Sequence, residues 1–204
     1  TKRLRGVLHS ARMVLVIVYL HDIERLQARD DWDTSARILS KHARRIESAG
    51  DELLLICTNT MHKVADQVAA AIGIPLLHIA DATARHVTAS GVRTAGLLGT
   101  RFTMEQPFYR DRLLQSGLTV LVPDEEDRAL VHRIIYEELC LGRVKPASRQ
   151  AFLRIIETLR ESGAEAVIEG CTEIGLLVGQ EHTDVQLFDT TRIHASQAVA
   201  EALG

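Results

Sequence analysis

The 204-residue sequence lacks any long run of apolar residues. Its longest run, MVLVIVYL at residues 13–20, has eight residues, whereas a helix that crosses a bilayer needs about 20. No signal peptide is visible either. These absences argue against a membrane protein, and the pattern at residues 12–20 instead predicts a buried strand.

Positive charge is also in short supply. The sequence has 24 Lys and Arg residues against 27 Asp and Glu, and its formal net charge is −3. A face that binds nucleic acid needs an excess of basic residues. The composition therefore argues against a nucleic-acid-binding protein, while its 46% of hydrophobic residues is typical of a globular domain.

Cysteine is sparse, with Cys57, Cys140 and Cys171 as the only three. An odd, small number is poor material for a disulfide framework, so we expect a reducing, cytoplasmic compartment and free thiols that are available for catalysis. The metal-binding spacings CxxC and HExxH do not occur, so we expect no metal site. For Cys140, near a predicted helix end, we expect a buried structural thiol.

The sequence does contain a regular alternation of short apolar runs with helical patterns. Predicted strands cover residues 12–20, 52–57, 75–79, 94–100, 118–123, 164–171 and 185–190, and predicted helices cover 33–50, 61–72, 82–91, 105–117, 124–142, 148–163 and 192–203. Asp33 is the predicted N-cap of the first helix and Gly50 its stop. Short buried strands separated by helices indicate an α/β fold with parallel sheets.

Two strand ends carry the same pattern. ICTNTMH at residues 56–62 and GCTEIGLL at residues 170–177 each continue an apolar strand with Cys-Thr, then a hydrogen-bonding side chain, then a predicted helix start. In parallel sheets, reactive groups gather beyond the carboxyl ends of strands, and helix N-termini there favour anions such as a thiolate. We interpret the repeat as two similar lobes, residues 1–92 with 190–204 and residues 93–189, that present strand ends to a shared cleft.

A facing pair of ionisable groups suits a racemase, which removes a proton from one face of a carbon and returns one to the other face. A thiol is a good acid and base because its reference pKa is about 8.5 and a helix N-terminus or a nearby cation lowers it. Cys171, between Gly170 and Thr172 at a predicted strand end, is therefore the favoured functional cysteine.

Longer motifs, in order along nearly the whole chain, resemble one known family: CTNTMHK, HIADAT, LLGTRFTMEQ.FY, EELCLG, GCTEIGLLV and FDT..IHA. They are similar to those of the cofactor-independent aspartate/glutamate racemases, and within this family to the bacterial enzymes specific for L-aspartate and L-glutamate. The resemblance implies two pseudo-symmetric α/β lobes with the active site in the cleft between them. It also implies a homodimer that interconverts L and D amino acids without pyridoxal phosphate or a metal ion.

The chain departs from the family pattern at its first motif. The family usually places a catalytic cysteine directly before Asn, but Thr58 holds that position here, and Cys57 lies one residue earlier. Alternation along a strand would point Cys57 into the core. The L-specific enzymes share this pattern, which implies that Cys171 exchanges one proton and Thr58 the other. Because a hydroxyl is a much weaker acid and base than a thiol, we expect the two directions to be unequal, and the resemblance implies that the L substrate is favoured.

A second departure lies at the start of the sequence. Relative to the family pattern, roughly the first strand and helix of lobe one are missing, together with the Gly-Gly-Met-Ser-type loop that lines the substrate pocket.

The resemblance also implies substrate contacts beside the two strand ends. Asn59 and Thr60 would hold the α-carboxylate, Thr172 would contact the substrate, and Glu173 would receive the ammonium group. A carbanion at Cα is poorly stabilised without a cofactor, so hydrogen-bond donors to the carboxylate are needed at both strand ends.

Three further residues are candidates for substrate binding. Thr100 and Thr103 lie in GTRFT, at another strand end. Lys145 resembles a lysine that some relatives use on the side-chain carboxylate of the substrate, and the alternative is a solvated loop lysine.

Two other functions stay open. One is a decarboxylase or cis–trans isomerase of small dicarboxylates with the same architecture, and the other is a non-catalytic ligand-binding homologue. The choice between aspartate and glutamate is also open.

Overall fold

The computed structural model describes residues 12–203, which form two compact units. The first unit takes the residues up to 56, residues 61–78 and those from 195 onward, and the second takes residues 57–60 and 79–194. The strand end at residues 57–60 therefore belongs to the same unit as Cys171. The lobe boundaries predicted at residues 92 and 189 stay a prediction.

The first unit combines helices with a two-stranded parallel sheet. Its elements in chain order are α1 (Leu20–Ala28), α2 (Trp32–Ser48), β1 (Leu54–Leu55), a 3-10 turn (Thr60–Val64) whose first residue belongs to the second unit, α3 (Ala65–Ala69) and β2 (Leu76–Leu77). β1 pairs with β2, and α2 packs against α1, α3 and β1. The predicted strands at 52–57 and 75–79 are therefore present but shorter, and the predicted helix at 61–72 starts as a 3-10 turn.

The apolar segment at residues 12–20 is not the buried strand that its composition predicts. Residues 12–19 form neither helix nor strand, and α1 begins at Leu20. The side chains are largely in contact with solvent, and Ile17 is 84% exposed. An apolar run forms a strand only where a neighbouring strand supplies its hydrogen bonds. Neither β1 nor β2 pairs with this segment, so the prediction was wrong.

The start of α2 also differs from the prediction, whereas its end does not. Asp31 rather than Asp33 is the N-cap, and its carboxylate accepts a hydrogen bond from the Thr34 N–H at 3.0 Å. Gly50 follows the helix with a φ of +90°, which is the left-handed conformation that glycine adopts without strain. The predicted stop at Gly50 is confirmed.

The second unit contains a four-stranded parallel sheet in the order β4-β3-β5-β6. Its strands are β3 (Thr94–Gly99), β4 (Thr119–Leu121), β5 (Ala166–Gly170) and β6 (Gln186–Asp189). All of β5 is buried, as the continuous apolar pattern of a central parallel strand predicts. The predicted α/β fold with short parallel sheets flanked by helices is confirmed.

Helices flank this sheet. The remaining helices in chain order are α4 (Ile79–Ala89), α5 (Arg101–Glu105), α6 (Pro107–Gln115), α7 (Glu125–Glu137), α8 (Pro146–Glu161), α9 (Ile174–Leu177) and α10 (Thr190–Leu203), and the residues of α10 from 195 onward belong to the first unit. α7 and α8 bury Ile135, Phe152 and Ile156 against Leu98 and Val167 of the sheet. Between residues 12 and 203, no helix is long and apolar enough to cross a membrane.

Two predicted helices are interrupted. The predicted helix at 105–117 is present but shorter, from Pro107 to Gln115, because Gln106 is extended, with a ψ of 149°, and separates it from α5. The ring of a proline disfavours helical geometry in the residue before it. The helix predicted at 124–142 ends earlier, at Glu137. A 3-10 turn at Leu139–Leu141 follows it and leads to Gly142, whose φ is +69°.

A glycine pair brings the ends of the two central strands close together. Gly99 of β3 lies opposite Gly170 of β5. A Cβ on Gly170 would lie 2.9 Å from the Leu98 carbonyl oxygen, and a Cβ on Gly99 would lie 2.8 Å from the Gly170 carbonyl oxygen. Only glycine permits this approach, so the next residues, Thr100 and Cys171, leave the sheet from adjacent positions.

Candidate active site

Three strands of the second unit are followed directly by a hydroxyl or thiol residue. Thr100 follows β3, Cys171 follows β5 and Thr190 follows β6. Because the strands are parallel, the three residues lie at one edge of the sheet, where α/β proteins gather their reactive groups. The segment 57–60, which belongs to the same unit, contacts this edge through Asn59 and Thr60.

Thr60 reaches the end of β3 through a chain of hydroxyl groups. Its Oγ1 lies 3.0 Å from Thr100 Oγ1, which in turn lies 3.3 Å from Thr103 Oγ1. The Thr103 N–H also donates to Thr100 Oγ1, so Thr100 caps α5. All three side chains are buried. The structure thus brings these three predicted residues into one hydrogen-bonded group.

Asn59 reaches the end of β6. Its Nδ2 donates to Thr190 Oγ1 at 3.1 Å, and the Thr190 hydroxyl donates to the Glu169 carbonyl oxygen at 2.8 Å. Asn59 is buried, and its Oδ1 accepts no hydrogen bond from any residue that the structure describes. The network ties the segment 57–60 to β5 and β6 and leaves one buried amide oxygen without a donor.

Cys57 is exposed, so the prediction that it faces the core was wrong. β1 ends at Leu55, two residues before Cys57, and the alternation of side chains along a strand therefore does not extend to this cysteine. Thr58 is partly buried and lies between the exposed Cys57 and the buried Asn59. The role of Thr58 opposite Cys171 stays a prediction.

Cys171 and Glu173 form a hydrogen-bonded pair after β5. The Cys171 Sγ donates to Glu173 Oε2 at 3.0 Å, and the Thr172 hydroxyl donates to the same oxygen at 2.7 Å. Burial, followed by the negative charge of Glu173, raises the pKa of the Cys171 thiol well above its ordinary value. The thiol is therefore protonated at neutral pH in this state.

The raised pKa contradicts the prediction that a helix N-terminus would favour the thiolate. α9, which follows this loop, has only four residues, and so short a helix has a small dipole. Desolvation and an adjacent carboxylate both favour the neutral thiol, so their combined effect on the pKa of Cys171 is the larger one.

Lys145 lies in an ion pair with a residue that the sequence did not single out. Its Nζ is 3.2 Å from Glu138 Oε1, and the Ser148 hydroxyl donates to Glu138 Oε2 at 2.5 Å. Cys140 lies between them in the chain and is exposed, so the prediction of a buried structural thiol was wrong. Partial desolvation, followed by the negative charge of Glu173, raises the pKa of the Cys140 thiol to about 11.

Comparison with known proteins supplies the family. The model of the Asp/Glu/hydantoin racemase family matches residues 2–198. The chain belongs to this racemase family. The resemblance that the sequence motifs indicate is confirmed.

Solved and curated proteins are similar to this racemase-family chain. A crystal structure of a candidate Asp/Glu racemase from Yersinia pestis is 53% identical, with a TM-score of 0.92 over 100% of this chain and 89% of the other. An aspartate racemase homologue from Pyrococcus horikoshii is 35% identical, with a TM-score of 0.84 over the same shares. The broad specificity amino-acid racemase RacX of Bacillus subtilis is 22% identical over 85% of this chain and 74% of its own.

Sequence reasoning missed two polar residues at the candidate site of this racemase-family chain. Thr190 follows a predicted strand just as Cys171 does, and the strand-end rule would have found it. Glu138 has no such signal, because its contact with Lys145 depends on the chain reversal around Gly142, which only the folded backbone shows.

Proposed function

We propose that the protein is a cofactor-independent racemase of aspartate or glutamate, in which Cys171 and Thr58 act on opposite faces of the α-carbon. The observation that carries the proposal is the hydrogen bond of Cys171 Sγ to Glu173, at a sheet edge that the segment 57–60 also contacts. Membership of the Asp/Glu/hydantoin racemase family supports it. The activities for which the Yersinia and Pyrococcus relatives are named support the choice of an acidic amino acid.

The first chemical step needs a thiolate, and the substrate itself would help to produce one. Without substrate, burial and then the carboxylate of Glu173 keep Cys171 protonated. An ammonium group beside Glu173 would neutralise that charge and so lower the pKa of the thiol. The thiol proton then leaves through Glu173 to water, and the thiolate removes the proton from Cα.

The carbanion that forms needs hydrogen-bond donors, since negative charge spreads from Cα into the α-carboxylate. We assign this role to the side chains of Asn59, Thr60 and Thr100, which cluster at the sheet edge. Thr172 would contact the substrate beside Cys171. Lys145 would bind the second carboxylate and so select an acidic amino acid.

The new proton would come from Thr58, on the face opposite Cys171. Its hydroxyl would give a proton to Cα and regain one from water or from a neighbour. In the reverse direction the hydroxyl would have to act as a base, and a neutral hydroxyl is a poor one. Exchange should therefore be faster for one enantiomer, and the resemblance to the L-specific enzymes assigns the stronger base, Cys171, to the L substrate.

Exchange of the α-proton in deuterated water tests the proposal. Proton NMR on L- and D-aspartate and on L- and D-glutamate should show loss of the Cα–H signal, fastest for an L enantiomer. Cys171→Ser should slow the exchange at least about 100-fold, whereas Cys57→Ser, which makes the same replacement at an exposed thiol, should retain most of it. Equal losses in the two variants would place the catalytic thiol elsewhere. Decarboxylation of a small dicarboxylate without exchange would support a different enzyme.

The proposal includes a cytoplasmic homodimer that works without pyridoxal phosphate or a metal ion. Light scattering of the purified protein should give twice the chain mass of 22.6 kDa. Exchange should persist after dialysis against a chelator and in protein whose absorption spectrum shows no pyridoxal phosphate. A monomer, or activity that returns only with an added cofactor, would contradict this part.

A further inference from the structure

Glu138 is a buried, charged carboxylate that the proposed chemical steps do not use. Its side chain is 10% exposed, whereas that of its partner Lys145 is 55% exposed. The hydrogen bond from Ser148 holds the pKa of Glu138 below its ordinary value, and the contact with Lys145 lowers this pKa further. Glu138 is therefore anionic at neutral pH, and the fold fixes the carboxylate while the lysine extends from it.

The backbone around Glu138 fixes this arrangement. The Glu138 carbonyl accepts hydrogen bonds from the N–H groups of Leu141 and Arg143 at 3.0 and 2.9 Å. Gly142 has a left-handed φ of +69° and turns the chain back toward α8, whose first turn carries Ser148. The carboxylate at the end of α7 is thus held by the start of α8, and Lys145 lies where the returning chain passes it.

The pair lies beside the loop of Cys171 and Glu173. The turn Leu139–Leu141 packs against α9, which follows that loop directly. Leu139 and Ile174 share one buried cluster, and Cys171 packs against it. The Lys145–Glu138 pair and the Cys171–Glu173 pair are therefore held by neighbouring segments of the same core.

We infer that Glu138 is a positioning residue that holds the Lys145 ammonium ready for the second carboxylate of an acidic amino acid. The inference rests on the proposed function. An ammonium group has three N–H donors, so one contact to Glu138 leaves two for a substrate. A long side chain that is already restrained loses less freedom on binding, and this restraint corresponds to about a 3- to 10-fold gain in affinity.

A double-mutant cycle tests whether Glu138 acts through Lys145. The variants are Glu138→Gln, Lys145→Met and the pair combined, with KM and kcat from the exchange assay and Kd from calorimetry, for L-aspartate and L-glutamate. Glu138→Gln should raise KM and Kd about 3- to 10-fold and change kcat by less than about 2-fold. In the Lys145→Met background, the same change should add nothing. Additive losses would show that Glu138 acts only on the fold and would overturn the inference.

Two further variants keep the test decisive. Glu137→Gln makes the same replacement at the exposed neighbour of Glu138 and should leave KM unchanged. If Glu138→Gln does not fold, Glu138→Asp replaces it in the test. Its side chain is shorter by one methylene group, which moves the carboxylate away from Lys145 and should also raise KM. An unchanged KM in Glu138→Asp would then overturn the inference.

The outcome separates this inference from the racemase proposal. If the protein binds L-aspartate or L-glutamate and loses affinity in both single variants without showing α-proton exchange, the racemase proposal fails and the role of Glu138 stands. If exchange occurs but its KM does not respond to Glu138→Gln, the role of Glu138 fails and the racemase proposal stands.

Discussion

Replacing Glu169 by Gln should stabilise the protein above neutral pH and have little effect near pH 5. Glu169 is 4% exposed in β5, where it lies opposite Leu98 of β3 and Asp189 of β6. Its Oε1 accepts no hydrogen bond from the residues that the structure describes. Burial, followed by the negative charges of Asp189 and Glu181, raises the pKa of Glu169 to about 7.

The direction of the effect follows from the difference between the pKa of Glu169 in the folded chain and its pKa in the unfolded chain. The ordinary pKa of the carboxyl is 4.5, so between pH 4.5 and 7 the folded chain keeps a proton that the unfolded chain has released. The free energy of unfolding then falls as pH rises, by about 1.4 kcal/mol for each pH unit. The loss reaches about 3 kcal/mol at pH 8 and stays below about 1 kcal/mol at pH 5. Gln is neutral throughout and avoids the loss.

Urea denaturation at pH 5 and pH 8, followed by far-UV ellipticity, measures the difference. Ellipticity reports on both units, whereas the single tryptophan, Trp32, lies in the first unit. Between the two pH values, the wild type should lose about 2–3 kcal/mol more than Glu169→Gln. Glu52→Gln removes the same charge at an exposed position and should follow the wild type. Parallel pH profiles for the wild type and Glu169→Gln would refute the reasoning, and an equal gain in Glu52→Gln would assign the effect to net charge.

Three other substitutions give direct tests of the candidate site. Thr58→Cys should move the ratio of D to L exchange rates toward one by about 10-fold or more, because a thiol is the better acid and base; a folded but inactive variant would contradict this. Glu173→Gln removes a charge that raises the pKa of Cys171. In a background without the other two cysteines, alkylation of this thiol by iodoacetamide should therefore begin at lower pH. An unshifted pH profile would show that burial alone sets the pKa of Cys171. Thr190→Val removes the acceptor of the Asn59 amide and a donor to the Glu169 carbonyl in the interior, which should cost about 1–3 kcal/mol in urea denaturation, whereas the exposed Thr191→Val should cost much less.

The fold of the second unit could be predicted from the sequence because each of its strands is a short apolar run bounded by turn residues. Gly163, the last residue of the helix predicted at 148–163, has a left-handed φ of +102° after α8. Glycine adopts this conformation without strain, so the residue type and the backbone both indicate the end of the helix here. The segment 12–20 failed because apolar character does not supply a pairing partner, and the structure shows none for it among the described strands. The helix predicted at 105–117 begins later, at Pro107, because the proline ring disfavours helical geometry at Gln106.

The sequence predicts those residues of the candidate site that directly follow a predicted strand. Thr100 and Cys171 follow from the rule that parallel strands deliver side chains to one edge, and the structure places both there. The protonation of Cys171 could not be predicted, because it depends on burial and on the rotamer that brings its thiol to Glu173. The exposure of Cys57 depends on where β1 ends, and strand boundaries are the least certain part of a pattern.

Two carboxylates on neighbouring segments, Glu138 and Glu173, act on their neighbours in opposite ways. Glu138 accepts from a cation and restrains it, whereas Glu173 accepts from a neutral thiol and, together with burial, keeps it protonated. An amino acid with an acidic side chain fits both, since its ammonium group would remove the charge that holds the proton on Cys171 and its second carboxylate would meet Lys145. An amino acid without that carboxylate could still activate the thiol but would gain nothing from Lys145. In the proposed mechanism, activation of the base and choice of the substrate depend on separate pairs, so a defect in the Glu138 pair should appear in KM while the pH at which Cys171 ionises stays the same.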